Sequence, residues 1–187
     1  MQTTIFNRYL MAALLAGAGI AGAANKGNIP VNSDAIIAGS VRHEVLTYPR
    51  YTIFDDISYR VVNGQVELIG AVTQPFKKKD LERLAFRIPG VNGVTNNLKV
   101  LPLSFNDDQL RRQIARAIYR DVVLSRYAIQ AVPPIHIIVD NGHVTLVGVV
   151  NNELEKNVAF ARASGDGLSF GPIINLLQVE HPARRKE

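Results

Sequence analysis

The side chains that could carry chemistry are scattered along this sequence and form no recognisable catalytic set. No two histidines have the i,i+4 spacing of a helical zinc site, and no carboxylate motif accompanies them. The serines stand in capping or loop contexts without a G-x-S-x-G elbow, and neither G-x-G-x-x-G nor a P-loop is present. The sequence therefore predicts no catalytic residue, no metal site and no cofactor, and it indicates that the chain is not an enzyme.

Three smaller groups of polar residues have simple interpretations. His136 and His143 could approach each other across a hairpin, but we interpret them as solvent-facing strand residues. The acidic pairs Asp55-Asp56 and Asp107-Asp108 fall at element boundaries, where helix capping explains them. Three cations at positions 77–79 oppose the dipole of the helix that they begin, so they serve either solubility or an unidentified partner.

Basic residues are concentrated on one predicted helix, which spans residues 106–120. Projection at 100° per residue places Arg112, Arg116 and Tyr119 opposite its apolar stripe. Arg111 and Arg120 fall on the flanks of that stripe. Two interpretations remain open, a solvated helix face or a surface for anionic lipid headgroups with Tyr119 at the interface.

An internal repeat provides the elements that must position these residues. The pattern N-G-x-V-x-L-x-G-x-V occurs at Asn63–Val72 and again at Asn141–Val150, 78 positions later. Downstream, a second set of residues corresponds at an offset of 79: Val94, Asn96, Leu98 and Val100 match Ile173, Asn175, Leu177 and Val179. The correspondence of both glycines and both asparagines indicates two copies of one module.

Each copy predicts the element order helix, strand, strand, helix, strand. The Asn-Gly pairs are typical of two-residue type I′ turns, so the flanking β-branched runs form hairpins. Helical periodicity precedes and follows each hairpin, and residues 101–104 form a short linker. Gly70 and Gly148 lie within strands, where we expect a bulge or a close helix approach.

This order, with its G-x-V-x-L-x-G hairpin and its later V-x-N-x-L-x-V strand, resembles the BON family. The resemblance implies an α+β fold of two tandem αββαβ modules, each a three-stranded mixed sheet packed against two helices. It places the first module at residues 33–102 and the second at 105–181, and leaves residues 182–187 as a basic tail. It also implies a non-catalytic role at the bacterial envelope, with phospholipid binding as the usual proposal.

One loop departs from the family pattern in the second copy. Residues 164–172 replace the compact turn that the family expects, and they contain three glycines and one proline. Phe170 is an apolar side chain in this loop, and we therefore add it to the candidate lipid contacts.

Residues 1–24 have the pattern of a signal peptide. Arg8 precedes an uncharged run at Tyr9–Ile20, and Ala21-Gly22-Ala23 offers the small residues of a cleavage site. The sequence contains no cysteine, so it has neither a disulfide nor a lipobox for acylation. These features predict a periplasmic protein that is exported but not lipidated.

Two functions are consistent with these features. The first is an envelope protein that associates with anionic phospholipid through its second module. The alternative is a soluble periplasmic factor that interacts with proteins, as a chaperone or scaffold would, through an edge strand. Nucleic acid is not expected as a partner, because few aromatics stand beside the basic residues and export removes the chain from the cytoplasm.

We expect the exported chain to lack residues 1 to about 24, because a short apolar run before small residues is a substrate for signal peptidase. Intact-mass measurement on the periplasmic fraction of an expressing cell tests this. A full-length mass would contradict the prediction. It would indicate that residues 1–24 are retained and tether the protein to the membrane.

Overall fold

Two three-stranded sheets organise the computed structural model, which describes residues 33–165 and 171–180. The elements in chain order are α1 (Ser33–Thr47), β1 (Asp56–Val62), β2 (Gln65–Val72), α2 (Pro75–Phe86), β3 (Gly93–Val100), α3 (Phe105–Tyr119), α4 (Ser125–Ala128), β4 (Ile135–Asp140), β5 (His143–Val150), α5 (Glu153–Ser164) and β6 (Ile174–Val179). The predicted signal peptide and basic tail lie outside the described residues.

The two sheets have the same topology. Their strand orders are β1-β2-β3 and β4-β5-β6, with the first pair antiparallel and the second pair parallel. Each sheet packs against two long helices through its own apolar core. The predicted α+β class and tandem αββαβ arrangement are confirmed. The short helix α4 is an addition that the sequence pattern did not predict.

Both Asn-Gly pairs form the predicted hairpin turns. Asn63 and Gly64 have φ values of 54° and 75°, and Asn141 and Gly142 have 51° and 79°. Positive φ at both central positions is the requirement of a type I′ turn, which explains the residue types.

One carboxylate holds each of these turns. Asp34 on α1 accepts the backbone N–H groups of Asn63 and Gly64 at 2.7 and 2.8 Å. Asp107 on α3 does the same for the second turn, at 3.0 and 2.9 Å. Our interpretation of Asp107 as a helix cap is therefore wrong, because the hydroxyl of Ser104 caps α3.

Gly70 and Gly148 are required by the neighbouring strand. Their φ values are 126° and 127°, a region that residues with a Cβ rarely adopt. A Cβ on Gly70 would lie 2.1 Å from the carbonyl oxygen of Asp56, and one on Gly148 would lie 1.8 Å from that of Pro134. The close approach thus comes from backbone across the hairpin and not from a helix.

The segment before β1 joins the two modules. Ile137 on β4 donates its N–H to the carbonyl of Ile53 at 2.7 Å, and Ile53 and Phe54 pack against the second core. The ring of Tyr51 stacks on His136 with centroids 5.3 Å apart. His136 is only 8% exposed, so the interpretation of this residue as solvent-facing is wrong.

A buried ion pair fixes this joining segment. Lys77 donates to the fully buried carboxylate of Asp55 at 2.6 Å. The same carboxylate accepts the N–H and hydroxyl groups of Thr52 and Thr73. Lys77 is thus structural, whereas Lys79 is exposed to solvent.

Replacing Asp107 with Ala should destabilise the second module by about 1–3 kcal/mol, because two turn N–H groups lose their acceptor and the N–H of Gly142 is buried. Asp34→Ala should act similarly on the first module. Chemical denaturation of both variants tests this, with Glu153→Ala as a control at an exposed position of α5. Unfolding midpoints equal to the wild type would contradict the role of the carboxylate.

Acidification should weaken the junction through His136. Burial lowers the pKa of its ring, an effect that outweighs the opposing influence of Asp55, Asp56 and nearby carbonyl groups. Below about pH 6.5 the unfolded chain binds a proton that the folded chain still excludes, so the free energy of unfolding must fall as the pH drops.

We expect His136→Phe, which can still stack on Tyr51, to remove this contribution. Its melting temperature should therefore fall less than that of the wild type between about pH 7.5 and about pH 5.5. His143→Phe is the matched control, since His143 is exposed on β5. The same pH dependence in all three proteins would exclude His136 as the responsible group.

Candidate anion-binding groove

A groove between the two long helices occurs at the same place in both modules. In the first module it has a volume of about 550 Å³ and lies between α1 and the end of α2. In the second module it has a volume of about 650 Å³ and lies between α3, the turn that follows it, and α5. The two grooves therefore allow a direct comparison of side chains on one scaffold.

The charges that line the two grooves differ. The first groove carries Glu44 and Arg87, whose charges cancel, together with His43. The second carries three arginines, Arg116, Arg120 and Arg162, and one carboxylate, which leaves a net charge of +2. A concave surface with this surplus attracts anions.

The carboxylate in the second groove, Asp121, is fully engaged. Its oxygens accept the N–H of Val123 at 2.8 Å and the Nε–H of Arg162 at 2.6 Å. The hydrogen bond from Val123, followed by that from Arg162, holds the pKa of Asp121 below its usual range. Because Asp121 neutralises Arg162, Arg116 and Arg120 are the cations available to a ligand.

Three of the predicted lipid-binding residues lie on an accessible surface. Arg112 and Arg116 are exposed on α3, and so is Arg120, the C-cap residue of that helix. Arg116 and Arg120 line the groove. Arg112 lies one helical turn earlier, outside the groove. Within the described part of the chain, the structure gives none of the three an ion-pair partner.

Two other predicted residues are placed differently from the helical projection. Arg111 is 3% exposed, donates to the carbonyl of Val139 at 2.6 Å and pairs with Asp108. Tyr119 packs against the second core and donates its hydroxyl to the carbonyl of Ile135 at 2.5 Å. Burial raises the pKa of Tyr119, consistent with a structural position. Phe170 lies outside the described residues.

Sequence reasoning missed Arg162 and Val122, which also line the groove. Arg162 had a detectable signal, because at the repeat offset of 78 it corresponds to Leu84 of the first module's apolar stripe. A charged residue in one copy, at a position that is apolar in the other, indicates that this position has a different role in the second module. Val122 had no such signal, since its exposure depends on the course of the turn.

Other site types find little support in residues 33–165 and 171–180. No group of three or more His, Asp or Glu side chains there could hold a metal ion. No helix in the same ranges is both long enough and apolar enough to cross a bilayer.

A family model matches both modules of this fold. The model of the BON domain matches residues 33–102 and again residues 106–165. The chain belongs to the BON domain family. Its two BON domains stand in tandem, as the repeat indicates. No curated protein sequence matches the chain at a significant level.

Two solved structures show a distant likeness to this tandem BON chain. One is the C-terminal domain of CdsD, the structural protein of the type III secretion system of Chlamydia trachomatis, at 15% identity and a TM-score of 0.29. The match covers 82% of this chain and 66% of that one. A second CdsD structure from the same system gives 15% identity and a TM-score of 0.28, with coverages of 80% and 94%. We draw no functional argument from either.

Proposed function

We propose that this tandem BON protein is a non-enzymatic exported protein of the cell envelope that associates with anionic phospholipid through its second module. BON domains are non-catalytic in kind. The observation that carries the proposal is the contrast between two equivalent grooves, one with balanced charges and one with a surplus of two cations.

The arrangement of the cations supports a membrane surface as the ligand. Arg112, Arg116 and Arg120 extend along one exposed side of α3 and its C-cap, so they can meet several headgroups at once. Each basic residue near an anionic membrane contributes about 1 kcal/mol of attraction. Three such residues suit reversible, peripheral association, and the signal-peptide pattern supports delivery to the envelope.

A second candidate function is protein interaction, which two exposed apolar side chains on β6 favour. Ile174 and Leu176 are 52% and 38% exposed and point away from the helices. The equivalent positions on β3 carry Thr95 and Asn97. Since β6 is an edge strand, a partner strand could pair beside it and cover these side chains.

Liposome co-sedimentation of residues 25–187 separates these functions. We expect binding to vesicles that contain phosphatidylglycerol and none to pure phosphatidylcholine. Binding should fade as salt rises, because charges are screened beyond about 10 Å at 0.1 M ionic strength. If the protein ignores both kinds of vesicle, the lipid proposal fails and protein interaction takes its place.

Replacing both groove cations, in the variant Arg116→Gln/Arg120→Gln, should weaken binding to anionic vesicles by roughly thirtyfold, because two attractions of about 1 kcal/mol are lost. The melting temperature should hardly change, since both side chains are exposed. Co-sedimentation across a lipid titration measures the effect.

The matched control is Arg42→Gln/Arg87→Gln, which removes two exposed arginines from the first module. We expect this variant to retain most of the binding. Equal losses in the two double variants would show that net charge alone drives association, and would remove the second groove from the proposal.

A further inference from the structure

Val122 is the most exposed large apolar residue in the described part of the chain. It lies in the turn between α3 and α4, and 92% of its surface is accessible. A lone exposed apolar residue needs no explanation by itself. Val122, however, lines the same groove as Arg116 and Arg120, so an apolar tip stands beside two exposed cations.

The turn holds Val122 in a defined position. Asp121 donates its N–H to Ile118, and its carbonyl accepts the N–H groups of Leu124 and Ser125 at 3.1 and 2.8 Å. Leu124 is fully buried and anchors the turn in the second core. The Asp121 carboxylate closes the turn further through its bond to Arg162. The backbone conformation of this turn therefore keeps the Val122 side chain exposed to solvent.

The first module differs in the segment that follows its first helix. The residue that follows α1 there is Tyr48, which is 8% exposed and packs into the first core. Its hydroxyl donates to Asp80 on α2 at 2.8 Å. In the second module the buried apolar residue after the first helix is Leu124, and Val122 is exposed between α3 and that anchor. The first groove has an exposed apolar residue too, Ile36 at 56%, but Ile36 stands beside the balanced charges of Glu44 and Arg87.

We propose that Val122 inserts among the lipids of an anionic bilayer while Arg116 and Arg120 contact headgroup phosphates. This inference rests on the proposed function. A bilayer satisfies both kinds of side chain, because it presents phosphate at its surface and hydrocarbon directly beneath. A soluble polyanion would pair with the arginines but would leave Val122 in water.

The chain contains no tryptophan, so one introduced residue is a clean reporter of insertion. In Val122→Trp, the emission should shift to the blue on vesicles that contain phosphatidylglycerol. Lipids with brominated acyl chains should quench that emission. Phe86→Trp is the matched control, since Phe86 is 62% exposed at the end of α2 in the first module. Its emission should neither shift nor be quenched.

Val122→Ser tests the contribution of the apolar group. We expect this variant to bind anionic vesicles about tenfold more weakly, the effect of withholding one valine side chain from an apolar environment. The ratio to the wild type should persist at high salt, unlike the effect of the arginine variant. Melting temperatures should match the wild type, because Val122 has few contacts to lose.

The outcomes separate the two proposals. If the Val122→Trp variant co-sediments with vesicles but its tryptophan emission is neither shifted nor quenched, insertion is wrong and the proposed function stands. A blue shift without bromine quenching would mean that protein, such as a second copy of the chain, covers the residue, and would equally overturn insertion. If no anionic vesicle binds the wild type, the proposed function fails and insertion fails with it.

Discussion

Asp34 and Asp107 each accept two N–H groups of an Asn-Gly turn, and both carboxylates stand in the first turn of a helix. The turn N–H groups have no strand partner, and an ionised acceptor makes the bonds to them stronger than neutral ones. This contact sets the start of the first helix against the tip of the hairpin. Because this contact fixes that end of the helix, the groove between the two long helices lies at the same position in both modules.

A second polar contact in each module joins the third strand to the second helix. Asn96 on β3 donates to the carbonyl of Lys78 at 2.8 Å, and Asn175 on β6 donates to that of Lys156 at 3.3 Å. The third strand is thereby joined to the second helix. The residues that the two copies share include the asparagines and glycines that form the turns and the side chains that hydrogen-bond to the backbone. This explains why the motif is common to both copies while other positions differ.

Positions outside this framework have diverged, even where they are buried. Lys77 and Glu155 occupy corresponding sites, yet one pairs with Asp55 and the other accepts from the hydroxyl of Tyr127. The first arrangement fixes the segment that joins the modules, and the second belongs to the core beside α4. One scaffold thus supports a junction in the first copy and a cationic groove in the second.

The sequence alone determined the repeat, the hairpins, the four long helices and the family, because these depend on residue types at short spacing. Tertiary structure alone decided which side chains are accessible. Tyr51 covers His136 from 85 positions away, and Asp121 engages Arg162 from 41 positions away. Helical projection gives the direction of Arg111 but not the neighbouring strand that buries it. Exposure depends on which distant segment arrives beside a residue, and periodicity carries no information about that.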